Sequence, residues 1–146
     1  KFTWDDIAEI KEFWGGKLIL KGILDPEDAE KAIKFGADAL IVSNHGGRQL
    51  DGAPSSISML SQIVKIAGNS TSIWIDGGIR SGQDILKAIA LGAEGTLIGR
   101  PYLYGLGALG EAGVTKCLEI IQKELEISMA LCGHTNIRDV TRAIIL

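Results

Sequence analysis

The 146-residue chain has only two cysteines and three prolines, and aromatic residues make up 5% of it. Cys117 and Cys132 stand far apart with no CxxC spacing, a pattern that supplies neither a disulfide framework nor a metal cluster. Both fall in apolar, helical-looking stretches and are expected as buried free thiols in a reducing, cytoplasmic compartment. A basic excess is also missing. The net charge is −3 and the signs are interspersed, so the chain lacks the charge that binding nucleic-acid phosphates requires. No apolar run approaches the roughly 20 residues that span a bilayer. The opening Lys1-Phe2-Thr3-Trp4-Asp5-Asp6 is acidic, where a signal peptide is basic and then apolar. A soluble chain without nucleic-acid or membrane partners is the expectation. No methionine precedes the opening amphipathic helix, which is the pattern expected of a fragment.

The chain does have 46% hydrophobic residues and 19 glycines, enough to bury the core of a single domain over residues 1–146. Four short apolar runs, each followed by helical periodicity, read as buried strands: Leu18–Leu20, Ala39–Val42, Ser72–Ile75 and Gly95–Ile98. Asp25 suits an N-cap, Pro26 a first helical position and Gly36 a helix stop, and Ser81 and Gly92 repeat the start and stop. A shift of 56 residues superposes Gly22-Ile23 on Gly78-Ile79, Asp28 on Asp84, Lys31-Ala32-Ile33 on Lys87-Ala88-Ile89 and Gly36-Ala37 on Gly92-Ala93. The repeated unit is strand, loop, helix, strand, which implies parallel pairing with crossover helices.

The α/β fold expected is therefore half of a (β/α)8 barrel: four parallel strands with helices, although a doubly wound sheet can be built from the same units. Four strands cannot close an eight-stranded barrel, so the two outer strands keep free edges that a second copy could pair with, giving a homo-oligomer. Helices over Val114–Leu131 and Ile137–Ile145 are expected to cover the wall. Trp4, Trp14 and Trp74 read as packing residues, as does the pair Tyr102 and Tyr104. His134 reads as structural, in a turn after the long terminal helix.

Working residues of a parallel barrel lie at the C-terminal strand ends, and polar residues stand at each such end here: Lys21, Ser43-Asn44-His45, Asp76 and Arg100. Within Ser43–Asp51, paired glycines separate an imidazole from a guanidinium. His45 can take up a proton near neutral pH, and Arg48 can hold a carboxylate through two parallel hydrogen bonds. Equally, both side chains could bond only backbone carbonyls of their own loop. Asp76-Gly77-Gly78-Ile79-Arg80 and Gly99-Arg100-Pro101 follow the last two strands. The N–H groups of Gly78 and Gly99, with the guanidinium groups of Arg80 and Arg100, suit a monophosphate dianion.

These stretches resemble the flavin mononucleotide-dependent 2-hydroxy-acid oxidases and dehydrogenases. S-N-H-G-G-R-Q-L-D at Ser43–Asp51 is close to a signature, and K-G-I-L-D-P-E-D-A, D-G-G-I-R-S-G, A-L-G-A and I-G-R-P-Y-L-Y-G-L follow in the family's order. The resemblance implies oxidation of a small (S)-2-hydroxy acid to the 2-oxo acid, with electrons passed to oxygen, quinone or cytochrome. His45 would be the base and Arg48 the carboxylate anchor. Lys21 would lie by the pyrimidine edge of the FMN ring, Ser43 would hydrogen-bond the ring, and Asp76 would contact the ribityl chain. Gly78, Arg80, Gly99 and Arg100 would hold the phosphate, with Gly46, Gly77 and Ile79 completing the cofactor contacts. The first half of the family's barrel, with the aspartate that orients the histidine and the tyrosines that touch substrate, has no counterpart here. A half-barrel that binds FMN or another phosphorylated ligand without turnover is therefore the alternative.

Overall fold

Asp25 Oδ1 accepts the Glu27 N–H at 2.8 Å and starts the helix Pro26–Lys34, after which Gly36 turns at φ +83°. Ser81 does the same for Gly82–Ala90 in a reciprocal capping box with Asp84, and Gly92 follows at φ +101°. Short polar side chains satisfy the free N–H groups at both starts, and glycine adopts the left-handed turn at both ends without a Cβ penalty.

The computed structural model describes residues 2–145. In chain order the elements are α1 (Trp4–Trp14), β1 (Ile19–Ile23), α2 (Pro26–Lys34), β2 (Ala39–Val42), α3 (Ser56–Ala67), β3 (Ser72–Ile75), α4 (Gly82–Ala90), β4 (Gly95–Thr96) and α5 (Arg100–Leu131). The four strands are parallel and lie in the order β1-β2-β3-β4, the βαβ arrangement the internal repeat implies. Ile19 pairs with Ala39, and Ala39 with Ser72. A register shift between Lys21 and Ile23 marks a bulge at Gly22, where φ is +97°.

Alternation along the strands sends Leu40, Val42, Ile73 and Ile75 to one face. There they pack with Ala29 and Ala32 of α2, Leu60 and Ile63 of α3 and Ala88 of α4 in one buried cluster. Each fully buried Leu, Ile or Val contributes about 1.5–3 kcal/mol, so this layer dominates the fold. A second cluster, Leu86, Ala90 and Val140, seats the C-terminal turns on α4. The α4–α5 crossing is close: a Cβ on Gly82 would fall 2.0 Å from the Leu125 nitrogen. Glu124 of α5 accepts the Gly82 N–H at 3.0 Å, capping the start of α4 from a distance. At the other end of the sheet Asp38 accepts from Lys11 Nζ (2.5 Å), Lys17 Nζ (2.8 Å) and the Leu18 N–H (2.8 Å), which tethers α1 to β1. These three donors hold the Asp38 carboxyl well below the usual carboxylate range.

Several expectations are corrected. The first strand runs Ile19–Ile23 rather than Leu18–Leu20, because the backbone stays extended through the Gly22 bulge. The last strand stops at Thr96, although the Leu97 N–H still reaches the Ile75 carbonyl at 2.9 Å. A helical segment already begins at Arg100 and breaks at Leu109-Gly110, where Gly110 has φ +59°; the helix expected over Val114–Leu131 resumes just after that break. Ile137–Ile145 is not one helix but two single 3-10 turns, Ile137–Asp139 and Arg142–Ile144, separated by extended backbone at Val140 and Thr141. Trp14 does not pack, being 65% exposed, and Tyr104 is 74% exposed. Trp4 does pack, stacking on Phe35 with ring centroids 5.9 Å apart. Cys132 is exposed and Cys117 half-buried, because α5 meets the rest of the molecule along one narrow face.

Candidate active site

Of the polar groups read from the strand ends, Lys21, His45, Asp76 and Arg100 arrive at one cleft, while Ser43 and Asn44 lie behind its lining. Lys21, His45, Gly46, Arg48, Asp76, Gly77, Gly78, Ile79, Arg80, Gly99 and Arg100 line a cavity of about 260 Å³, open at the C-terminal edge of the sheet. Parallel pairing produces this convergence, since it aligns the ends of all four strands at one rim.

The rim is wired by short hydrogen bonds. Lys21 Nζ donates to Ser43 Oγ at 2.8 Å and lies 2.6 Å from Asp76 Oδ2. Ser43 is 1% exposed, and its Oγ also accepts the His45 N–H at 3.1 Å. Ser43 thus joins the ammonium to the histidine backbone by accepting both bonds, which leaves its own O–H as the donor. His45 has φ +57°, the sole positive φ at a non-glycine position among the described residues. Histidine tolerates that region better than most, but it is uncommon and concentrates at functional sites. The Arg48 N–H donates to the His45 carbonyl at 3.4 Å, so imidazole and guanidinium flank a single tight turn.

On the other side of the cleft the glycines leave room. A Cβ at Gly78 or Gly99 would meet nothing within 4 Å, and α5 starts at Gly99 without a side-chain cap. Free N–H groups at a helix start, with the Arg80 and Arg100 side chains lining the same cleft, have the chemistry that suits an anion. The Arg80 N–H is already committed to Asp84 Oδ2 at 3.0 Å, which leaves its guanidinium as the available donor. Arg100 Nη2 donates to the Gly46 carbonyl at 2.8 Å, linking this corner to the histidine turn. Ile79 reaches the cleft while its side chain sits in the core at 6% exposure, so only its backbone can face a ligand. Asp76 Oδ1 is buried and has no hydrogen-bond partner among the described residues. An orphaned carboxylate oxygen in a cleft suits a ligand hydroxyl, which would remove the cost of burying it unpaired.

The sequence reading assigned nothing to Ser56, the first residue of α3, which is 2% exposed and accepts the Asn44 N–H at 3.1 Å. Leu97, Ile98, Pro101 and Leu103 also line the cleft unanticipated. Their apolar character read as strand and helix packing, and the Pro54-Ser55-Ser56 helix start was the available signal for Ser56.

A partial parallel α/β barrel, with glycines and two arginines at one corner of its C-terminal edge and Lys21, His45 and Asp76 along the rim, is thus the class of molecule defined by the fold. Residues 1–146 match the FMN-dependent dehydrogenase family, and the chain belongs to it. The chain is 51% identical over 139 residues to an L-lactate dehydrogenase of Pectobacterium atrosepticum, covering 95% of this chain and 36% of that protein. It is 49% identical over 140 residues to an L-lactate dehydrogenase of Actinobacillus pleuropneumoniae serotype 5b, covering 96% and 37%. Among solved structures, mandelate oxidase with benzoyl-formic acid superposes with a TM-score of 0.92 at 43% identity, over 97% of this chain and 42% of that one. A mandelate oxidase variant with a monooxide FMN adduct matches equally, at TM-score 0.92. The chain therefore spans little more than a third of the curated relatives it matches, and its fold is a partial barrel. No helix among the described residues is long and apolar enough to cross a membrane.

Proposed function

We propose that this chain supplies the FMN phosphate corner, the base and the carboxylate anchor for oxidation of an (S)-2-hydroxy acid of the lactate or glycolate class to the 2-oxo acid. The observation that carries this reading is the convergence of Lys21, His45, Arg48, Asp76, Gly78, Gly99 and Arg100 on one cleft. FMN, when bound, accepts the two electrons that leave the hydroxyl-bearing carbon. The residues present fit it: Gly78, Arg80, Gly99 and Arg100 for the phosphate, Asp76 Oδ1 for a ribityl hydroxyl, and Lys21 for negative charge at the pyrimidine edge. Gly46 and Gly77 let backbone lie close beside the cofactor. The Arg48 guanidinium clamps the substrate carboxylate, and the His45 imidazole takes up a proton that leaves the substrate. Ser43 acts one step back, holding Lys21 and the His45 backbone together. Similarity to L-lactate dehydrogenases at 49–51% identity supports lactate as the first acid to try.

One observation favours the second reading, FMN binding without turnover. The hydrogen bonds made by His45 run through its backbone, so among the described residues no carboxylate orients its imidazole. The purified chain mixed with FMN should perturb the flavin spectrum, and anaerobic L-lactate, glycolate or mandelate should then bleach it. Bound flavin left unbleached by all three acids would select the second reading, and an unperturbed flavin spectrum would remove both.

A further inference from the structure

We infer that Asn44 is a positioning residue that sets the two substrate-facing groups separately, His45 through one atom of its side-chain amide and Arg48 through the other. The inference rests on the roles proposed above for His45 and Arg48.

Asn44 Oδ1 accepts the Gly46 N–H at 3.0 Å, an Asx turn that closes over His45. His45 sits inside that turn at φ +57°, a conformation that costs on the order of 1–3 kcal/mol and persists only when its surroundings enforce it. The Asx bond supplies that enforcement together with Ser43 Oγ, which holds the His45 N–H from below. The other amide atom, Asn44 Nδ2, donates to the Pro54 carbonyl at 3.3 Å. This bond ties the two ends of the 44–54 loop, and that loop carries Arg48. Residues 45–52 are all exposed, and the side-chain bond within the stretch, Asp51 to the Gly52 N–H, is local. The Arg48 N–H joins it to the His45 turn and Arg100 holds the Gly46 carbonyl; on its other side the position of Arg48 depends on the base of its loop rather than on packing.

Asn44 is itself held firmly. Its N–H donates to the buried Ser56 Oγ at 3.1 Å, and its amide lies against Gly77. A Cβ at Gly77 would fall 3.1 Å from Asn44 Oδ1 and 3.0 Å from Ser56 Oγ, so the glycine after β3 leaves the space that the amide occupies. Asparagine is the residue this place calls for, because a single rigid plane must accept on one side and donate on the other. Aspartate can make the first bond and not the second.

The test is amide hydrogen exchange at Gly46, the HN–Hα coupling of His45 and the backbone order parameters of Leu50–Gly52, measured on the isotope-labelled full chain. Asn44→Ala should speed exchange at Gly46 by about tenfold, the equivalent of about 1.4 kcal/mol, should lower the order parameters of Leu50–Gly52, and should shift the His45 coupling. Asn44→Asp should restore Gly46 and the His45 coupling to native values while leaving Leu50–Gly52 at low order. Native behaviour in both variants would overturn the inference. Joint loss or joint recovery of the two segments in Asn44→Asp would overturn it too, and that variant alone decides if the alanine protein does not fold. No readout involves flavin, so failure of FMN to bind would remove the proposed function without touching this result.

Discussion

Lys21 Nζ and Asp76 Oδ2 lie 2.6 Å apart, although they come from the ends of β1 and β3, which are separated in the sheet by β2. The pair therefore spans the top of β2, where the Ser43 hydroxyl joins it. It binds three strand ends into one rim and leaves the second carboxylate oxygen of Asp76 unpaired.

Removing the ammonium should be costly even in the absence of ligand. Lys21→Met would leave Asp76, whose side chain is 18% exposed, with neither oxygen paired. The chain should lose about 1–3 kcal/mol, the range for leaving a buried polar group unsatisfied, seen as a lower urea midpoint. Asp76→Asn should cost less, since an amide can still accept from Lys21.

The phosphate corner can be tested by comparing two flavins. Arg100→Ala should weaken FMN by about 10–100-fold, the equivalent of about 1.5–3 kcal/mol for a charge-assisted bond. It should leave riboflavin, which lacks the phosphate, nearly unchanged. Fluorescence quenching of each flavin on titration with protein checks this, and equal weakening of both would move the phosphate elsewhere.

The tether of α1 to β1 should be acid-sensitive. The Asp38 carboxyl is held below its ordinary range by hydrogen bonds from Lys11, Lys17 and the Leu18 N–H, so folding favours its charged form. Its stabilisation is complete above the unfolded carboxylate pKa of about 4 and is lost progressively as pH falls below that toward the folded value. Exchange of the Leu18 amide should accelerate below about pH 4 in the native chain. Asp38→Asn should show faster exchange at neutral pH and little further change on acidification.

β1 and β4 are the outer strands, and exposed apolar side chains precede the one and follow the other in the chain: Phe13 at 95% and Trp14 at 65% before β1, Leu103 at 48% and Leu106 at 49% after β4. The internal repeat makes the β2–β3 junction a template for pairing β4 of one copy with β1 of another. Light scattering should give twice the 15.5 kDa chain mass. A folded monomer at micromolar concentration would exclude closure by self-association.

How much of this was legible depended on whether the signal was local. Asp25, Ser81, Gly36 and Gly92 announced two helices because capping and left-handed turns are decided within four residues. The Ala39–Val42 and Ser72–Ile75 strands coincided with apolar runs because β2 is buried on both faces and β3 on one, with its other face half-buried. Ile137–Ile145 failed as a helix because its apolar residues seat on α4 through extended backbone at Val140, which periodicity alone does not reveal. The rim residues His45, Arg48, Lys21 and Asp76 were legible as polar punctuation after apolar runs. Ser56 was not, because a serine at a helix start reads as a cap whether or not its hydroxyl faces a neighbouring loop.

By itself, then, the amino-acid order determined which segments become strands and helices, that the strands are parallel, and which polar residues stand at their ends, since caps, periodicity and repeats are short-range properties. Only the tertiary structure decided that Ser43 turns inward to join Lys21 to the His45 backbone, that Asp76 keeps one oxygen unpaired, and that Asn44 lies against Gly77. Those outcomes depend on distances between strand ends far apart in the chain, and sheet register and packing set such distances while no local preference does.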